Sequence, residues 1–256
     1  MLTLSQRLQS ASNLLSSAYV DSYSDRMMVG RRAQLGESMV WRSTLSAEPD
    51  NGHLTYGEFD LAFFGALVDR ALARPAGRRE PETFVDVGSG CGRLVLAASC
   101  VWPELARAAG VETCADLHMM AVRAQARASL PRCDFVHGDA LQAMREGGPL
   151  DDATVVFCYS SAWASEGGAL TDFSELVGCC CLPGCRVVVT DKWLECDGSC
   201  GEFALIDEVE GPNRETGGSV GYIYEFEMKN KSLAFAIRGA PSGHRAPSGQ
   251  SMHGNW

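Results

Sequence analysis

The chain has almost no lysine. Only Lys192, Lys229 and Lys231 occur among 256 residues, and Lys plus Arg reaches 22 against 32 for Asp plus Glu, a formal net charge of −10. A domain that grips nucleic acid by neutralising phosphates carries a basic surface. This composition excludes that mode of binding for the chain as a whole, and an acidic field instead draws in Lys- and Arg-rich partners. Long apolar runs are also missing. None approaches the roughly 18 residues that span a bilayer, although 46% of residues are hydrophobic. A globular chain with no membrane partner is expected, long enough for one large α/β domain and short for two.

The eleven cysteines are not spaced as a secreted disulfide framework, because Cys179, Cys180 and Cys181 are adjacent and Cys91 and Cys158 fall in core motifs. They read as reduced thiols of a nuclear or cytoplasmic protein. A zinc site from Cys181, Cys185, Cys196 and Cys200 is the sharper alternative, but the spacing is not a common zinc pattern and no histidine is near. No metal is expected. Residues 1–20 contain no acid, several serines and one arginine, Arg7, a composition shared with transit peptides. Leu4, Leu8, Ser12, Leu15 and Tyr19 fall near one helical face, and the amphipathic helix is the preferred reading.

The first fifty residues read as a helical extension that breaks at Glu48-Pro49-Asp50-Asn51-Gly52. A helix is predicted over Glu58–Ala73, then a polar loop over Pro75–Pro81. Strand-like runs at Phe84–Val87, Ala109–Val111, Phe135–Val136, Thr154–Cys158 and Arg186–Thr190 alternate with helical segments at Leu94–Val101, Asp116–Leu130, Leu141–Arg145 and Leu170–Cys181. That alternation predicts an α/β fold: a doubly wound, Rossmann-like, mostly parallel sheet with helices on both faces. Phe203–Val209 and Tyr222–Glu227, joined across Gly211–Gly218, add a C-terminal antiparallel hairpin. The expected division is an N-terminal helical extension over 1–53, one domain over 54–238 and a disordered Pro-, Gly- and Ser-rich tail over 239–256.

Phe84-Val85-Asp86-Val87-Gly88-Ser89-Gly90-Cys91-Gly92-Arg93 carries the most information. A strand enters a glycine turn and a helix begins behind it, and open α/β sheets bind ligands beyond the carboxyl ends of such strands. A dinucleotide site wants G-x-G-x-x-G; here Arg93 takes the third glycine's place, and Asp86 would set a carboxylate beside two phosphates. The same carboxylate suits the cationic ammonium of S-adenosylmethionine. Glu112, ending the second strand, is placed to accept from ribose hydroxyls, with a solvated loop acid as its plain alternative. Asp139, after the third strand, accepts from an adenine amino group or caps a helix.

Thr55-Tyr56-Gly57-Glu58, the Asp86–Gly92 turn, Gly110-Val111-Glu112, Gly138-Asp139 and Gly184-Cys185-Arg186-Val187-Val188 together resemble the disruptor-of-telomeric-silencing enzymes. These are histone-lysine methyltransferases without a SET domain that use the class I methyltransferase fold. The resemblance covers roughly Leu54 to Trp193. It implies S-adenosylmethionine as cofactor, a chromatin role and a histone or other Lys-rich protein as partner. Position by position it assigns Tyr56 and Glu58 to a loop closing over the cofactor. Asp86 and Gly88, with Ser89, Gly90 and Gly92 of the turn, go to the methionine end, Glu112 to ribose, and Asp139 to adenine.

The chain departs from the family where it has Ala140 for an aromatic that stacks on adenine, and Tyr159-Ser160-Ser161 for Asn-Asn-Phe beside the methyl-transfer channel. It also lacks the lysine-rich extension that holds nucleosomal DNA in some members. Tyr56, Tyr159 and Trp163 are the expected channel residues, because aromatic faces suit a methylammonium product; for Tyr159 and Trp163 the plain alternative is core or rim packing. Residues 195–215 hold seven acids and one base, Arg214, a solvated face or a docking surface for a basic protein. A class I methyltransferase of a non-histone protein or small molecule, and a cofactor-binding module without activity, are the rival functions.

Overall fold

The computed structural model describes residues 2–34, 56–74, 81–140, 148–196, 201–214 and 217–228. Helix α1 (Leu4–Ala18) opens on a capping box in which Thr3 and Gln6 satisfy each other's backbone N–H groups. Its buried face is Ala11, Leu15 and Ala18, with Leu4 and Leu8 packed alongside. Ser12, expected on that face, is exposed; the face follows the spacing 4, 8, 11, 15, 18, which tracks the 3.6-residue period better than steps of four. Helix α2 (Tyr23–Gln34) follows. Helix α3 (Leu61–Leu72) starts three residues later than predicted, because the Asp60 carboxylate accepts from Ala62 N and Phe63 N and fixes the N-terminus there.

Strands β1 (Thr83–Val87), β2 (Arg107–Glu112), β3 (Cys133–His137), β4 (Val155–Cys158) and β5 (Arg186–Thr190) are interleaved with α4 (Arg93–Val101), α5 (Ala115–Ala128) and α6 (Thr171–Cys180). Every residue of β1, β4 and β5 is buried, as expected of central parallel strands covered on both faces. The sheet order is β3-β2-β1-β4-β5-β7-β6. The predicted hairpin forms from β6 (Glu202–Gly211) and β7 (Ser219–Glu227), and β7 inserts between β5 and β6, antiparallel to both. The result is the predicted doubly wound, Rossmann-like sheet with an antiparallel edge.

Two apolar layers flank the sheet. On one side Phe64 meets Phe84, Trp102 and Phe157 edge to face at 5.3–5.9 Å between centroids, each pair contributing about 0.5–1.5 kcal/mol beyond its buried area. Helices α1, α3, α4 and α5 lie in this layer. On the other, Leu150, Leu170, Phe173 and Val177 pack with Phe226. The predicted helix at Leu141–Arg145, the tail from Gly239 and Cys200 of the candidate zinc set lie outside the described residues. Among the described residues no helix is long and apolar enough to cross a membrane.

Candidate functional site

The glycine turn sits at the carboxyl end of β1. Gly88, Gly90 and Gly92 take φ of +79°, +56° and +83°, a region that side chains with a Cβ rarely enter. Gly88 N and Ser89 N both donate to Val111 O of β2 at 2.9 Å, and Gly92 N donates to Ser89 O at 2.9 Å, so the turn is pinned to the neighbouring strand and to itself. Glu112 holds it from the side: its carboxylate accepts from Gly90 N at 2.6 Å and from Cys114 N at 2.7 Å. The predicted ribose acid thus also sets the shape of the turn. A carboxylate has about four acceptor positions, so one is left over for a hydroxyl beyond the backbone donors of Gly90, Cys114 and Thr113.

Asp86 is 2% exposed. Burial, reinforced by the Glu112 charge, pushes its carboxyl up to about 8. Burial pushes Glu112 up as well, against the backbone N–H groups of Cys114, Gly90 and Thr113. The Ser89 hydroxyl is buried without a hydrogen-bond partner among the described residues, and Gly88 beside it is exposed. An orphan hydroxyl, a buried carboxyl and an open backbone bend fit the polar, cationic end of an amino-acid ligand better than a pyrophosphate.

Three rings stand around the turn. A methyl group added at Gly88 would lie 3.6 Å from Trp163 Nε1, one at Gly90 2.7 Å from Tyr56 Cε2, and one at Gly92 2.6 Å from Phe135. Tyr56 and Trp163, two of the three expected channel residues, lie beside the turn, and Phe135 joins them unannounced by any sequence signal beyond its strand position. Tyr159 makes other contacts, with its ring centroid 5.0 Å from that of Phe59 and its hydroxyl accepting from Asn213 Nδ2 at 3.2 Å. Asp139 is exposed past the end of β3, where Gly138 N donates to Glu112 O at 3.0 Å, and Ala140 is buried.

The segment after β4 is stitched to the end of β5. Ser160 Oγ donates to Thr190 O at 2.6 Å and accepts from Thr190 N at 2.9 Å, and Lys192 Nζ donates to Trp163 O. The Trp163 ring stands edge-on to Phe173 of α6 at 5.0 Å. Its packing role is realised in that contact, and the same indole lies beside Gly88. Glu58 departs from expectation in its company: its side chain, 3% exposed, is held by Arg26 of α2 and Arg93 of α4. Sequence reading missed Arg26, Arg93, Asn213 and Lys192; a buried carboxylate in the Tyr-Gly-Glu motif was the signal that a cation had to be found for it.

No protein-family model and no curated protein matches the chain. Among solved structures it is similar to YcgJ from Bacillus subtilis, at 12% identity over 65% of this chain and 98% of that one, with a TM-score of 0.47. It is also similar to TrmN from Thermus thermophilus, at 18% identity, 64% and 48% coverage and a TM-score of 0.49. The mitomycin 7-O-methyltransferase MmcR is similar at 14% identity, 64% and 54% coverage and a TM-score of 0.44. The chain spans about half the length of the last two. At these identities the likeness is one of fold.

Proposed function

We propose that the chain is an S-adenosylmethionine-dependent methyltransferase, and that its acceptor is a lysine of a basic protein, a histone in the first instance, which places its work in the nucleus on chromatin. The observation that carries the cofactor reading is Asp86, a carboxyl buried in β1 two residues before the glycine turn, which burial pushes up to about 8. A cation is the ligand that such a group lacks.

When bound, the cofactor supplies a methyl group activated on a sulfonium. Asp86 would hold its ammonium, the Gly88–Gly92 backbone and Ser89 its carboxylate end, Glu112 the ribose hydroxyls and Asp139 the adenine amino group. Transfer is an in-line displacement, so the chain's own contribution is alignment and a fitting electrostatic wall. Tyr56 and Trp163 stand beside the turn, and Tyr159 would complete the channel with them. An aromatic, water-poor channel favours loss of the lysine proton before attack, because it penalises the charged ammonium. The net charge of −10 and the acids of β6 favour a basic partner.

A small-molecule or non-histone acceptor is the second reading. It is favoured by Ser160, which is spent on the Thr190 backbone, and by Asn213, which reaches the Tyr159 hydroxyl from the β6–β7 loop. Calorimetry with S-adenosylmethionine on the wild type and Asp86→Asn tests the cofactor. Labelled cofactor offered with nucleosomes, free histones and a small-molecule extract tests the acceptor. No binding by the wild type would overturn the methyltransferase reading. Labelling confined to the extract would overturn the histone reading alone.

A further inference from the structure

Arg26 stands far from the glycine turn in sequence, yet a continuous chain of polar contacts joins them. Its Nε and Nη2 meet Glu58 Oε1 at 2.5 Å and Oε2 at 3.1 Å, a two-point grip on one carboxylate. Arg93, the first residue after the turn, reaches Glu58 Oε2 at 3.0 Å. The Tyr56 hydroxyl donates to Glu58 Oε1 at 3.0 Å and lies 3.0 Å from Cys91 Sγ, inside the turn. Tyr19 at the end of α1 donates to Cys91 O at 2.7 Å and lies under the Arg26 guanidinium, 5.2 Å from it. Arg26 also donates to Asp21 O at 2.5 Å.

Two guanidinium groups thus serve one carboxylate in a buried position. Burial alone would raise the Glu58 carboxyl, but the Arg26 hydrogen bonds, the Arg93 charge and the Tyr56 hydroxyl hold it below the usual range. Removing one partner of a buried charge leaves the other poorly compensated. Apart from the Arg26 contact to Asp21 O, this network ends on the turn or beside it: Tyr56 packs over Gly90, and Tyr19 and Tyr56 both end on Cys91.

We propose that Arg26 is a positioning residue for the cofactor site: it grips Glu58, which fixes Tyr56 and Arg93 against the glycine turn and so sets the ligand's affinity from the N-terminal helices. The proposal rests on the methyltransferase reading above. The groups facing Glu58 are Arg26 from α2, Arg93 from α4, and Tyr56 and Cys91 from the wall and turn, with Tyr19 behind Arg26. None but Glu58 has reason to titrate in weakly acidic solution once Arg26 is gone.

The test is calorimetry and stopped-flow release of S-adenosylhomocysteine, from pH 5 to pH 8, on the full chain. Wild type, Arg26→Met, Arg26→Lys and Arg7→Met are compared. Arg7 ties α1 to the body through Val101 O and Asp69 and touches nothing in this network, so Arg7→Met reports a merely structural loss. Arg26→Met should weaken binding about tenfold at pH 7, mostly through faster release. Its deficit against wild type should widen toward pH 5, as a Glu58 held only by Arg93 and the Tyr56 hydroxyl takes up a proton. Arg26→Lys, which keeps the charge, should recover most of the affinity. Arg7→Met should bind as wild type does.

Equal losses in Arg26→Met and Arg7→Met, or a deficit that stays flat with pH and is not rescued by lysine, would overturn the proposal while leaving the cofactor reading intact. If Arg26→Met does not fold, Arg26→Gln takes its place: affinity and pH profile matching the wild type's within error at every pH would overturn the proposal. Wild type that does not bind the ligand removes both readings.

Discussion

Asp86 makes the cofactor reading quantitative. With a carboxyl at about 8 in the ligand-free protein, the group is protonated over ionised by about ten to one at pH 7, and the ratio inverts by pH 9. A cationic ammonium binds the ionised form, so wild type must release a proton at pH 7 to take the ligand. Asp86→Asn keeps the shape and removes the titration. The ratio of wild-type to Asp86→Asn affinity for S-adenosylmethionine should therefore rise about tenfold between pH 7 and pH 9. Titration of the ligand's own amino group cancels in that ratio. Calorimetry in two buffers of different ionisation enthalpy should count about one proton released per ligand at pH 7 by the wild type beyond the Asp86→Asn value. The stability of the ligand-free chain follows the same sign. The folded carboxyl sits above its unfolded value, so the stability it contributes is complete below about pH 4 and is lost as pH rises through 8. Asp86→Asn should accordingly stabilise the ligand-free protein increasingly from pH 5 to pH 9, read by urea unfolding. A flat affinity ratio with no excess proton release would refute the argument, because Asp86 would then not meet the cation.

Gly88→Ala and Gly92→Ala share a positive φ, but the new methyl group lies at ordinary contact distance from Trp163 at Gly88, 3.6 Å, and clashes with Phe135 at Gly92, 2.6 Å. Urea unfolding should show a cost of about 1 kcal/mol at Gly88 from backbone strain and about 3 kcal/mol or more at Gly92. Ser160→Ala leaves the buried Thr190 N–H and carbonyl without their hydroxyl partner, a loss of about 1–3 kcal/mol in the same assay. Leu15→Ala should cost about 2–5 kcal/mol, since Leu15 is 5% exposed within the main core; a change below about 0.5 kcal/mol would mean that α1 is not part of the folded unit.

What the sequence disclosed, and what it hid, divide by distance along the chain. The β1 strand, the turn and α4 were legible because one short stretch carries the whole requirement: buried apolar strand residues, three glycines at positive φ, and a helix that ends before Pro103. Glu112 was legible because parallel strands in a doubly wound sheet put their ends side by side, and Gly90 N meets its carboxylate across that boundary. Glu58 was found by motif but its company was not. Nothing local distinguishes Arg26 from Arg31 or Arg32 in α2, and only the packing of α2 on Tyr56 through Gly30 selects it. Asn213 was hidden for the same reason. A polar residue in a hairpin loop is ordinarily solvated, and its burial against Tyr159 follows from β7 entering the sheet between β5 and β6, a choice no periodicity records. The start of α3 shows the smaller kind of error: a helix expected from Glu58 rests on an apolar repeat that itself begins at Leu61, and the extended Asp60 cap starts the helix there, leaving Glu58 outside it and paired with two arginines.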